Sequence, residues 1–179
     1  VPRSRSGDTK ARILAVALDL FGQQGVQQTS LQQIADRLGM TKPALYYHFA
    51  SREDLIRSLF EPMVSGLEAF LAEQEAAVEV SPRGLLEGYF DLMFQYRGLN
   101  ELILRELMML AHLDLVERVT DWRLRIMAML VGPEPTLGQR ARAIVAIGGL
   151  ADCTVVFAGE NADELREVAV GAACSALGI

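Results

Sequence analysis

The stretch TKPALYYHFASRED, residues 41–54, gathers side chains suited to holding a polyanion. Lys42 and Arg52 carry charge, Tyr46 and Tyr47 carry phenols, and His48 adds an imidazole. A phenol donates to a phosphate oxygen, and its ring meets base edges or a thymine methyl. Catalytic groupings are absent. The two histidines, His48 and His112, lie far apart, and neither Cys153 nor Cys174 has a CxxC partner or a neighbouring His. There is no GxSxG elbow and no phosphate-binding glycine loop. The many carboxylate pairs fall on amphipathic helices, where solvation accounts for them. The chain is therefore read as a non-enzyme, with no metal and no cofactor expected. The cysteines are read as buried free thiols.

Helical periodicity dominates the elements that must position these groups. A first helix is expected from Thr9 to Gln24, capped by Asp8, with Ile13, Ala17, Leu20 and Phe21 facing inward and Gly25 ending it. Ser30 caps a second helix through Leu38, and Gly39 breaks it. Thr41 caps a third that starts at Lys42, where Pro43 costs little because first-turn N–H groups are unpaired. Ser51 caps a fourth, long helix with Glu53 and Asp54 in its first turn. The second and third helices form a helix-turn-helix. Leu45 and Phe49 are four apart and make its core pair. Tyr46 and Tyr47 lie about 100° and 200° around the helix from Leu45, so they cannot both turn inward.

Charge is divided unevenly. The net charge of the 179 residues is −6, yet residues 1–60 hold eight basic and five acidic residues, against nine and eighteen in the remainder. A basic head on an acidic body suits a head that alone meets nucleic acid. No apolar run reaches the roughly 18–20 residues of a membrane helix. The opening VPRSRSGDTK is polar, so a cytoplasmic protein without membrane association is expected.

The segment TSLQQIADRLGMTKPALYYHFASREDLI, preceded by ILAVALDLFGQQG, strongly resembles the DNA-binding domain of the tetracycline-repressor-like (TetR) family over roughly residues 9–60. The resemblance implies an all-α fold of about nine helices. A three-helix head, residues 1–50, would bind DNA, and a helical body, residues 51–179, would bind an effector and dimerise. It places Lys42, Pro43, Ala44, Tyr47 and His48 towards the major groove and lets Gln32 reach a base. It sets Tyr46, Arg52 and the groups around Ser30 and Thr41 near phosphates. Lys42 fits a guanine edge and, almost as well, a phosphate. His48 also fits a surface cation at a helix end, and Arg52 a solvated charge at a helix start.

In the body, Ser81 is expected to cap a helix from Pro82 to Arg97, Asn100 the next, and Asp114 another that runs to Val131. The segments 137–158 and 163–177 are rich in Gly, Ala, Ser and Cys, and their broad apolar faces suit a four-helix interface with a second copy of the chain. An adaptable apolar pocket for an unidentified small apolar or amphipathic effector is expected among Phe90, Met93, Phe94, Met108, Met109, His112, Trp122, Met127 and Asp152. The functional expectation is a sequence-specific transcriptional regulator, a repressor released from a palindromic operator by its effector. A helical dimerisation or scaffold module and an effector-independent DNA-binding regulator are the alternatives.

Overall fold

Positive-φ glycines stand where the helical pattern breaks: Gly25 at 88°, Gly39 at 65° and Gly132 at 79°. Between and beyond them, the computed structural model describes residues 3–110 and 114–179, with the side chains of 3–6 and 106–110 outside the description. The described residues are all-helical: α1 Arg3–Gln24, α2 Leu31–Leu38, α3 Lys42–His48, α4 Arg52–Ala76, α5 Pro82–Gln95, α6 Arg97–Leu110, α7 Leu115–Val131, α8 Leu137–Val156 and α9 Ala162–Leu177.

In the head, Ile13, Ala17, Leu20 and Phe21 of α1 pack with Ile34 and Ala35 of α2 and with Leu45 and Phe49. Local chemistry sets the helix ends. At α2 the Ser30 Oγ accepts from the Gln33 N–H at 3.2 Å, while Gln33 Oε1 accepts from the Ser30 N–H at 2.7 Å. This reciprocal pair satisfies two donors that the first turn leaves unpaired. The Gly39 N–H donates to the Asp36 carbonyl, and the Met40 N–H to that of Ala35 at 3.0 Å. That closure requires the left-handed conformation glycine adopts without strain. Thr41 then accepts from the Ala44 N–H, and Ser51 from that of Asp54.

The long helix α4 buries Leu55, Leu59, Met63, Leu67 and Leu71 at four-residue spacing. It packs on α1 as well as on α5 and α7, so one continuous helix belongs to both head and body. Around it, α8 and α9 form an antiparallel pair that packs on α5, and α8 also packs on α6 and α7. Cys174 is buried and Cys153 half-buried, both as free thiols.

Several boundaries differ from the sequence reading. The first helix begins at Arg3, not after Asp8. Nothing in residues 3–8 forces a break, and Gly7 costs a helix only about 1 kcal/mol. The fifth ends at Gln95 rather than Arg97, and the sixth starts directly at Arg97, because the Tyr96 carbonyl already accepts from the Leu99 and Asn100 N–H groups. Asn100 is therefore no cap. It is buried inside α6 and its Nδ2 donates to the Ala151 carbonyl of α8 at 3.2 Å. Asp114 does precede α7, but with φ 59° and no capping hydrogen bond accepted by its carboxylate.

Candidate nucleic-acid interface and body cavity

α3 has only two turns, and its side chains divide by angle. Leu45 and Phe49 are fully buried, while Tyr46 is 46% exposed and Tyr47 84% exposed. The Lys42 Nζ stands 6.0 Å from the Tyr46 ring centroid. Tyr47 and His48 meet edge to face at 5.4 Å. Pro43 and Thr41 are exposed, and Ala44 and His48 half-buried. One outward face of α3 thus presents an ammonium, two phenols and an imidazole. Exposed neighbouring tyrosines are useful where a phosphate and base edges are to be met together.

The neighbouring candidates are tied within the head. Gln32 is exposed on α2, with its Nε2 donating to Asp36 Oδ1 at 2.7 Å. Ser30 and Thr41 use their hydroxyl oxygens as helix caps, which aligns the free N–H groups of α2 and α3. Arg52 is half-buried, and its Nη2 donates to the Val26 carbonyl, so one of its nitrogens fixes the α1–α2 connection to the start of α4. Lys10 of α1 lies over the Phe49 ring at 5.1 Å and extends the positive charge beside α3. The sequence reading missed Lys10, whose spacing on α1 gave no sign of its nearness to Phe49.

The body encloses a cavity of about 50 Å³ between α4, α5, α6, α7 and α8. Of the expected pocket residues, Met93, Trp122 and Asp152 line it. Phe90 and Phe94 instead stack on each other at 5.8 Å, with Phe90 in the core, and Met127 packs half-buried against that core. These three had the right chemistry for a pocket, but their helical faces point elsewhere. His112 and the side chains of Met108 and Met109 lie outside the described residues. Among the described residues the lining also includes Met63, Tyr89, Asn100 and Arg123, none of which was expected in a pocket. One signal existed: Arg123 interrupts the apolar stripe Leu115, Val119, Trp122, Ile126 at its edge.

A polar bracket joins this cavity to α4. The Trp122 Nε1–H donates to Glu68 Oε1 at 2.7 Å, and Arg125 donates to Glu68 Oε2 at 2.8 Å and, through two nitrogens, to Glu75. The hydrogen bond from Trp122 first, and that from Arg125 next, hold the Glu68 carboxyl below its usual range. On the far side of the body, α8 and α9 display an apolar face. Val145 is 64% and Val156 69% exposed on α8, and Val168 is 66% exposed on α9. Between them runs a groove floored by Gly149, Ala172 and Ala176.

Comparison with known proteins agrees with the geometry of the head. The family model described as "Bacterial regulatory proteins, tetR family" matches residues 13–59. The HTH-type transcriptional regulator AcrR of Shigella flexneri is 37% identical over 84 residues, which are 47% of this chain and 39% of that protein. TtgR of Pseudomonas putida is 28% identical over 102 residues, 57% of this chain and 46% of that protein. The chain thus spans less than half the length of these two relatives. The fold likeness extends further. A TetR-like regulator from Rhodococcus sp. RHA1 superposes with a TM-score of 0.75 at 23% identity, covering 99% of this chain and 98% of that one. A regulator from Aquifex aeolicus gives 0.73 at 24% identity, covering 92% and 96%. Residues 13–59 thus match the tetR family of bacterial regulatory proteins in sequence, and the chain as a whole shares the helical fold of these solved structures.

Proposed function

We propose that this protein is a dimeric, sequence-specific DNA-binding repressor whose body takes a small-molecule effector. The observation that carries the reading is the division of α3, with Leu45 and Phe49 locked in the core and Lys42, Tyr46, Tyr47 and His48 turned outward together. Tyr47, His48, Pro43 and Ala44 meet base edges in the major groove, Tyr46 meets the phosphate backbone, and Lys42 takes a guanine edge or a phosphate. Gln32 adds a contact from α2. The cavity and its bracket to α4 support effector control. A ligand that pushes Trp122 shifts a side chain hydrogen-bonded to the helix that begins in the head. It weakens DNA binding by the difference in its affinity for the two positions of α4. A second copy of the chain covers the α8–α9 face, whose exposed valines and small-residue groove match the surface a four-helix interface buries. No helix among the described residues is long and apolar enough to cross a membrane, which suits a regulator working in the cytoplasm.

The test is selection of bound sequences from a random double-stranded DNA pool at stated salt, with the mass of the complex measured. The expected result is one enriched palindrome bound by a dimer. Weak, salt-sensitive binding without a shared motif would leave the head without specific readout and favour a scaffold role.

A further inference from the structure

The body cavity is apolar except at one corner. There Arg123 of α7 stands beside the phenol of Tyr89 on α5. The Arg123 Nε is buried and has no hydrogen-bond partner. A buried donor left unpaired is costly, and a site that keeps one is complete only when an acceptor arrives. Tyr89 is prepared to assist. Burial first of all pushes its hydroxyl up to about 12, so it stays protonated and able to donate. The other polar groups nearby are already engaged or in water. The Asn100 amide donates to Ala151, Glu68 is held by Trp122 and Arg125, and Asp152 lies exposed at the rim without an ion pair to Arg123 among the described residues.

We infer that the effector is a carboxylic acid on a compact apolar body, its carboxylate taken by the Arg123 guanidinium and the Tyr89 hydroxyl. This rests on the effector-controlled reading above and names the ligand's chemical class. A planar guanidinium matches a carboxylate in shape as well as charge. The apolar remainder lies against Met63, Met93 and Trp122. At about 50 Å³ the cavity has room for roughly three or four waters, less than the ~150 Å³ that admits benzene, so the ligand enters by displacing the flexible thioethers of Met63 and Met93.

Trp122 is the chain's single tryptophan, which makes its fluorescence a direct reporter of the cavity. The experiment titrates the full chain at neutral pH with two matched series, benzoate, benzyl alcohol and benzylamine, then octanoate, octanol and octylamine. Trp122 emission and the thermal midpoint are read together. In at least one series the acid should bind about tenfold more tightly than the alcohol, with the amine weakest. Arg123→Gln should bring acid and alcohol to equal affinity. Asp152→Asn, at an exposed site, should tighten the acid and decides the question if Arg123→Gln fails to fold. An amine or alcohol that binds as well as its acid, an acid unaffected by Arg123→Gln or weakened by Asp152→Asn, or no binding by any of the six probes overturns the proposal. Failure of effector control itself reads differently: the acid would still rank first, but the selected DNA complex would persist at saturating ligand.

Discussion

Tyr46 and Tyr47 are adjacent in sequence, yet the helix separates them by about 100° and so turns them in different directions. If Tyr46 meets phosphate, Tyr46→Phe removes one hydrogen bond and weakens binding to every DNA sequence by about fivefold, or ~1 kcal/mol, with relative preferences unchanged. Competition binding over a small operator library checks this, and an altered base preference would sink the assignment. His48→Ala and Tyr47→Ala should change preference as well as affinity, since base-edge contacts discriminate by ~1–3 kcal/mol. Glu68 offers a pH prediction. Its carboxyl is lowered in the folded chain from an ordinary value of 4.5. The stability this contributes is present above pH 4.5 and is lost as pH falls through the lower folded value. Trp122 emission should therefore change on acidification below 4.5, when Trp122 and Arg125 lose a charged acceptor. Glu68→Gln should abolish that acid transition.

The helices α2 and α3 of the head begin and end on short-range chemistry that can be removed one bond at a time. Ser30→Ala deletes half of the reciprocal cap on α2 and should cost about 1 kcal/mol in denaturant unfolding. Gly39→Ala meets no steric obstacle from neighbours, with nothing within 4 Å of the added Cβ, but forces a side chain into φ 65°. A penalty of about 1 kcal/mol is expected. Because Gly39 sets the turn between α2 and α3, DNA affinity should fall by more than the loss in stability explains, as α3 loses its fixed angle. Equal losses would show that the turn matters only for folding. The tie from Arg105 Nη1 of α6 to the Gly22 carbonyl of α1, at 2.9 Å, gives the body a second grip on the head beside α4. α6 also contributes Leu104 to the cavity, which places this tie one residue from the cavity lining.

At the scale of the whole molecule, the proposed pairing of two copies through α8 and α9 rests on their exposed valines. Val145→Glu with Val168→Glu buries like charges across any symmetric pairing of these helices and should yield a monomer in sedimentation at micromolar concentration. Each head should still fold, since its core lies in α1–α4. Affinity for a palindromic site should drop by orders of magnitude, because one head then binds without the effective concentration supplied by its twin. A double variant that stays dimeric would place the interface elsewhere.

The head was legible in the linear chain because its determinants are local. Caps at Ser30, Thr41 and Ser51, breaks at Gly25 and Gly39, and the four-residue spacing of Leu45 and Phe49 all act within one or two turns. The same locality explains why the apolar faces of the last two helices could be read in advance. Tertiary structure decided what depends on residues far apart in sequence. Asn100 has the chemistry of a cap, but it faces Ala151, fifty-one positions away, and is spent there. Phe90, Phe94 and Met127 have the composition of a pocket, but helix packing turns them into or against the core. Arg123 gains its place from Tyr89 and the cavity wall, and Trp122 gains its tie to α4 from Glu68, fifty-four positions away. Composition names the groups a chain can use, whereas the angles at which its helices pack choose which of them meet.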